Sequence, residues 1–503
     1  MKHYFLLLLI LFCSYSCSET GDPISDELKK EDFEVSIKGD DIITRIHQEI
    51  NINIENLSDK EVVYEWFWNE ATISEEEDLV YTPDQIGDYT LKVVITDFES
   101  SVEFIFNVSI KEGAMIYYPT GSKKASVNKP FIIRINSEEP ATYQWFLDDK
   151  PFSTESEFNH IFTKSGSYEV RLEMTENGNV IDYEYTIAVI EPSPYITSVF
   201  EYRPAPGQFV NELPLYIHGD SQENMNQKTL NAIGNNTQQM VTLGSYGGYV
   251  IVGFNQTIEN KAGLCDFRVL GNAFYANANP DEENLPGGSS EPGIIVVSRD
   301  VNNNGLPDDP WYEIKGSSHI DHTKELWYKK AVENSNDMNF YFQDFELTYT
   351  RPDSEPSKDK YETYIPWKDN KGNEGYVAKN TFHDQAYYPK WITDDKMTFK
   401  GSRLPQNGID ESGKGNYFVL YHCFYGYCDN GVNTDDDSAI DIDWAVDDKG
   451  APANLEGVDF IKIYNGVNQV NGWLGECSTE VTGINNLHML GETISSEQLE
   501  TSF

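Results

Sequence analysis

Apolar residues in this chain recur in short runs separated by clusters of Gly, Asn, Asp and Pro. Period-two alternation marks Leu91-Lys92-Val93-Val94-Ile95 and Val170-Arg171-Leu172-Glu173-Met174 as half-buried strands. Beyond residue 195 the same reading predicts strands at 248–254, 266–270, 294–298, 345–349, 417–421, 440–446 and 460–464. Almost nothing sustains the 3.6-residue period of a helix, so the pattern predicts an all-β chain. Long polar connections at 272–290 and 350–400 are where a binding site would be built.

The first part of the chain repeats itself. Tyr64-Glu65-Trp66-Phe67 returns as Tyr143-Gln144-Trp145-Phe146, and Gly87-Asp88-Tyr89 returns as Gly166-Ser167-Tyr168, both at an offset of 79 residues. Two anchors at one offset identify a tandem repeat. Each copy also carries Tyr or Phe followed by Thr, at Tyr81-Thr82 and Phe162-Thr163, ahead of its Gly-x-Tyr. This pattern resembles the PKD family of immunoglobulin-like domains, over residues 31–112 and 113–191. The resemblance implies two β-sandwiches acting as spacers, with Trp66 and Trp145 as core residues between sheets. After the hinge Glu191-Pro192-Ser193-Pro194 the composition changes and glycines multiply. Strands with long polar loops there predict a large jelly-roll-like β-sandwich over 195–490, the ligand-binding domain.

The chain opens with Lys2 and His3, then the apolar run Phe5 to Phe12. Such a run behind a basic start predicts a secretory signal over 1–16 and is too short to span a bilayer. Ser16 before Cys17 resembles a bacterial lipoprotein box, with Tyr15 an unusual occupant, which makes Cys17 the expected lipidation site. The polar segment 17–30 reads as a tether. Its acidic residues resemble the surface-export signal of Bacteroidetes lipoproteins, implying an outer-membrane, cell-surface, lipid-anchored location.

Residues 291–313, EPGIIVVSRDVNNNGLPDDPWYE, carry the most specific chemistry. A buried strand runs into a loop with oxygen-bearing side chains at alternate positions and Gly305 at the sixth, where a calcium loop needs a sharp turn. The candidate ligands are Asp300, Asn302, Asn304, Leu306, Asp308 and Asp309. The twelfth position, a bidentate Glu in an EF-hand, is Trp311 here, and Glu313 comes two residues late. The run resembles instead the calcium loops of thrombospondin type-3 repeats, which implies a structural Ca²⁺. A metal-free Asn/Gly-rich hairpin is the alternative.

Lys and Arg number 37 against 83 Asp and Glu, a formal charge of −46. This surplus excludes nucleic acid as a partner, since neutralising phosphates needs basic clusters. Asp441 and Asp443 share one face of the predicted 440–446 strand, and with Asp435, Asp436 and Asp437 upstream could hold a second cation; a solvated face is the stronger reading. Cys265, Cys423, Cys428 and Cys477 permit up to two disulfides, and Cys423 with Cys428 could close a hairpin. His383-Asp384 lacks an accompanying nucleophile motif and reads as structural, so no catalytic residue is assigned; a glycosidase is the residual enzymatic alternative. Loop aromatics Tyr275, Trp311, Trp367, Tyr387, Tyr388, Trp391 and Trp473 are the candidate ligand-binding residues, because flat rings suit a sugar face or a corrin ring.

Segments at 202–214, 244–260, 266–274, 291–313 and 471–484 together resemble the cell-surface lipoproteins of gut Bacteroidetes that pair PKD-like repeats with a large β-domain. That resemblance implies capture of a nutrient, a corrinoid ahead of a glycan, and delivery to a TonB-dependent outer-membrane transporter. A glycan-degrading enzyme and an adhesive or scaffolding protein without a small ligand are the alternatives.

Overall fold

A computed structural model divides the chain into two compact units, Met1–Ile190 and Glu191–Phe503. The structure describes strand segments within residues 8–56, most of 62–111, and residues 123–134, 141–176, 179–276 and 285–503. Strands dominate both units, and the fold is all-β.

Each repeat of the first unit builds a five-stranded sheet. In both, an early strand runs parallel to the last one, Asp41–Arg45 beside Ser101–Lys111 and Lys123–Ser126 beside Asn179–Ile190, while the other pairings are antiparallel. A second sheet accompanies it: Ile50–Asn56 pairs with Leu79–Tyr81 within another five-stranded sheet in the first repeat, and Pro130–Arg134 with Glu157–Ile161 as a two-stranded one in the second. The copies agree bond by bond. Trp66 and Trp145 are fully buried, as expected, and their indole N–H groups donate to the carbonyls of Glu76 and Glu155, both at 3.0 Å. A buried indole has one donor and needs one acceptor, which a strand-end carbonyl supplies. Asn69 and Asp148, both with left-handed φ, accept through Oδ1 the N–H groups of Thr90 at 2.9 Å and Glu169 at 3.0 Å. The hydroxyls of Tyr89 and Tyr168 donate to the carbonyls of Gln85 and Lys164. All these partners stand 79 residues apart.

Leu8–Phe12 is a strand, antiparallel to Ile50–Asn56 and parallel to Phe33–Ser36. Glu27–Lys30, expected as tether, pairs with Phe33–Ser36, because a strand edge offers free backbone partners. Cys17 lies outside the described residues.

The second unit is built on a six-stranded antiparallel sheet ordered Ser198–Arg203, Tyr249–Glu259, Gly457–Asn465, Gly293–Ser298, Trp311–Ile314 and Ala445–Val446. Smaller sheets of two to four strands surround it. Gly293–Ser298 is nearly all buried, which matches its unbroken β-branched composition. The largest core packs Val250, Val252, Ile295, Val297, Ile461 and Ile463 from three adjacent strands.

Three expectations need correction. Gln222–Ile233 is an α-helix, opened by a capping box between Ser221 and Asn224 and burying Met225, Thr229, Ala232 and Ile233. Only two of those four are strongly apolar, so the helical period is faint in the sequence. Residues 440–446 are not one strand: a 3-10 turn at Ile442–Trp444 interrupts them, with the Asp441 carboxylate accepting the Asp443 N–H at 2.8 Å. Asp441 is therefore buried while Asp443 is exposed, and the two share no face. The 350–400 connection is structured, with strands at Ile365–Asp369 and Glu374–Val377 joining Tyr341–Thr350 and Lys396–Arg403 in a four-stranded sheet.

Replacing Trp145 by Ala should destabilise the second repeat by about 3–5 kcal/mol through the cavity left between its sheets. Guanidinium unfolding of the full chain should show an earlier transition, with the transition of the second unit unmoved.

Candidate cation loop and aromatic platform

Strands Gly293–Ser298 and Trp311–Ile314 pair antiparallel, with Ser298 opposite Trp311, so the residues between them form a loop clamped at its base. Asp300 organises it. Its Oδ1 accepts the Asn304 N–H at 3.0 Å and its Oδ2 the Gly305 N–H at 2.9 Å. Asn302 Oδ1 accepts the Asn304 N–H at 2.9 Å, and Asn304 Oδ1 accepts the Leu306 N–H at 2.8 Å. Across the loop, the Asp308 carboxylate takes the side-chain amides of Asn302 at 3.1 Å and Asn304 at 2.8 Å. Asp309 turns aside to accept the Val301 N–H at 2.9 Å. Gly305 at φ 77° and Asn303 at φ 53° make the left-handed bends that let alternate side chains face inward. Asp300, Asn302, Asn304 and Asp308 thus come together as one oxygen-rich ring, a donor set suited to Ca²⁺.

Two acids near the loop have roles the sequence did not reveal. Asp459, buried on the central strand Gly457–Asn465, accepts the Asp300 N–H at 3.0 Å and fixes the loop to the sheet. Its signal was a lone acid in the apolar run VDFIKIY. Glu313 faces the core instead of the loop. Its Oε1 contacts His319 Nε2 at 2.7 Å and accepts the Ser402 hydroxyl at 2.5 Å, and its Oε2 accepts the Tyr464 hydroxyl at 3.2 Å.

The seven candidate aromatics do not form one site. Tyr387 and Tyr388 are buried: Tyr387 OH accepts the Asn380 N–H at 2.8 Å, and Tyr388 OH donates to the Asp394 carbonyl at 2.8 Å beneath the Arg351 guanidinium. Their rings are core, because the surrounding 350–400 segment is folded. Trp391 is stacked against Tyr202 and Tyr216 and donates to Gln222 Oε1 at 3.2 Å. Trp311 is a half-buried strand residue, and Tyr275 packs on His422 with its hydroxyl donating to Asp435 at 3.2 Å. Trp367 lines a 150 Å³ cleft with Tyr376 and Arg403.

Trp473 is the one that presents a broad face, at 50% exposure. Its N–H donates to the Asn416 carbonyl at 3.2 Å, and its own carbonyl accepts the Asn380 amide at 2.6 Å. These bonds tie three loops together, and Phe382, Tyr417 and Leu474 on the same loops are also exposed. Phe382 and Tyr417 were missed by sequence reasoning; Tyr417 stands out only as an aromatic in the polar run GKGNYF.

A second acidic cluster was invisible in the sequence. Oxygens of Glu291, Asp429 and Glu480 lie within 4.8 Å of one another, the last two buried. Asp429 accepts the N–H groups of Asn272, Ala273 and Glu480 at 2.8–2.9 Å. Glu291 accepts the Ser478 N–H at 2.8 Å, and Glu480 the hydroxyls of Thr242 and Ser478 at 3.0 and 2.9 Å. No Lys or Arg is among these partners. Burial first, and for Glu291 and Glu480 the neighbouring carboxylates next, hold all three above the ordinary carboxylate range. The cluster can be neutralised by protons or by a divalent cation.

The remaining candidates are structural. His383 packs edge-on against Phe209 with ring centroids 4.7 Å apart. Cys265, Cys423, Cys428 and Cys477 are free and buried. Cys265 and Cys428 fill one core and Cys423 and Cys477 another, so the Cys423–Cys428 hairpin bridge is absent because the two side chains pack into different clusters.

The PKD-like domain family matches residues 33–97. The chain is also similar to fibronectin(III)-like modules of CbhA from Clostridium thermocellum, at 16% identity over 30% of this chain and 90% of that one, with a TM-score of 0.17. A tandem of titin Ig domains is similar at 13% identity, 30% and 93% coverage and a TM-score of 0.13. The tandem Ig repeats of Dlar are similar at 10% identity, 30% and 94% coverage and a TM-score of 0.15. Likenesses this slight carry no functional argument; the family match places a PKD-like domain in the first repeat.

Chelation should separate the two acidic sites. EDTA should lower the melting temperature of the second unit in the full chain by roughly 5 °C, and Asp300→Ala should abolish that sensitivity. Identical melting in chelator and in calcium would remove the cation from the loop. For the buried cluster, the folded state holds protons more tightly than the unfolded one. Its stabilisation is therefore complete below the ordinary carboxylate range, about pH 4, and is lost as pH rises through the raised folded values. In chelator, Glu480→Gln should flatten the decline in melting temperature between about pH 5 and about pH 8.

Proposed function

We propose that this is a lipid-anchored, surface-displayed capture protein that binds a nutrient and passes it to a TonB-dependent outer-membrane transporter. The observation that carries the binding reading is the exposed ring of Trp473, anchored by hydrogen bonds to Asn416 and Asn380, with Tyr417 and Phe382 exposed on the same loops. Rings fixed in this way offer apolar contact area without an ordering cost on binding, which suits a planar ligand face. A corrinoid is favoured and a glycan follows, on the resemblance to lipoproteins of gut Bacteroidetes. The PKD-like repeats act as spacers, and Ca²⁺ in the 300–309 loop acts as a clip on the central sheet. The apolar run ahead of Cys17 supports export and lipidation.

The test is calorimetric titration of the full chain with cyanocobalamin. Saturable binding that weakens about tenfold or more in Trp473→Ala is the expected result. Absence of heat with cyanocobalamin, followed by binding on a glycan array that Trp473→Ala weakens, would transfer the platform to a glycan. Binding of neither would end the capture reading.

A further inference from the structure

A cleft of about 420 Å³ in the second unit shares no lining residue with the cation loop or the platform. Its size falls within the range of small-molecule sites, roughly 300–1,000 Å³. Its apolar lining includes Leu326, Phe424 and Leu499, with Leu326 52% exposed. Its polar lining includes His422 and the consecutive acids Asp435, Asp436 and Asp437.

Charge counting sets the class of ligand. His422 Nε2 faces Asp437 Oδ2 at 3.2 Å and its Nδ1 faces the Pro286 carbonyl at 3.3 Å. Both ring nitrogens meet acceptors, an arrangement that favours the imidazolium. Burial opposes that charge, but the Asp437 carboxylate and the Pro286 carbonyl hold His422 above its ordinary value. The imidazolium offsets Asp437, which leaves the charges of Asp435 and Asp436. Asp435 accepts the neutral hydroxyls of Tyr275 at 3.2 Å and Thr434 at 3.5 Å, and Asp436 is exposed. No Lys or Arg lines the cleft. A metal ion fits poorly, because among the described residues the acids whose ligand atoms converge are Glu291, Asp429 and Glu480, not these. Apolar lining together with two carboxylates that no cation offsets matches a molecule with a hydrocarbon body and one positive end.

We propose that this cleft binds a small organic ammonium compound, its cationic end against Asp435 and Asp436 and its hydrocarbon body along Leu326, Phe424 and Leu499. This site is independent of the capture reading. The test titrates the full chain with three probes: n-hexylammonium, n-hexanol with the same body and no charge, and methylammonium with the charge and no body. n-Hexylammonium should bind saturably and at least about tenfold tighter than either other probe. Asp436→Asn, a substitution at an exposed position, should weaken it about fivefold and leave the melting temperature unchanged. The apparent pKa of His422, followed by NMR, should fall when n-hexylammonium is bound, because a second cation beside the imidazolium disfavours it. Equal affinity for n-hexanol, unchanged affinity in Asp436→Asn, or a stationary His422 titration would each overturn the proposal.

Discussion

The strand Gly293–Ser298 is hydrogen-bonded on both sides and buried on both faces, and the chemistry of the second unit hangs from its two ends. Two residues before it, Glu291 meets Asp429 and Glu480. Two residues after it, Asp300 opens the oxygen-lined loop. On the order of 20 Å of rigid strand separates these acidic clusters. A loop on a mobile base could not hold Asp300 against Asp459, because the N–H to carboxylate contact at 3.0 Å requires both neighbouring strands to keep register.

What could be read in advance followed from local spacing. The 79-residue repeat predicted Trp66 and Trp145 as core, and both are, down to equivalent indole hydrogen bonds. Alternation of Asp and Asn around Gly305 marked six candidate cation ligands, of which hydrogen bonds draw Asp300, Asn302, Asn304 and Asp308 together. The strands at 294–298 and 460–464 lie within the observed ones, because runs rich in β-branched and aromatic residues suit a pleated, buried strand.

What could not be read was assembled across long separations. Glu291, Asp429 and Glu480 come from three distant segments, and in a chain with 83 acids no spacing distinguishes them. Tyr387 and Tyr388 sit in a polar sequence yet are buried, since their hydroxyls find carbonyl or N–H partners in a connection that packs against the four-stranded sheet. Trp473 is of the same residue class and lies in a similar sequence, but its ring stays outside. Composition describes which rings are available; only tertiary hydrogen bonding decides which of them water can reach.

The parallel pairing of an early strand with the last strand in each repeat has a mechanical consequence. Lys123–Ser126 and Asn179–Ile190 run in the same direction side by side. Tension applied along the chain pulls these two strands past each other lengthwise, so their ladder is loaded in shear, all bonds at once. A hairpin pulled from its open end would instead unzip one bond at a time. The same geometry recurs between Asp41–Arg45 and Ser101–Lys111, which makes the paired repeats suited to bearing a stretching force without elongating.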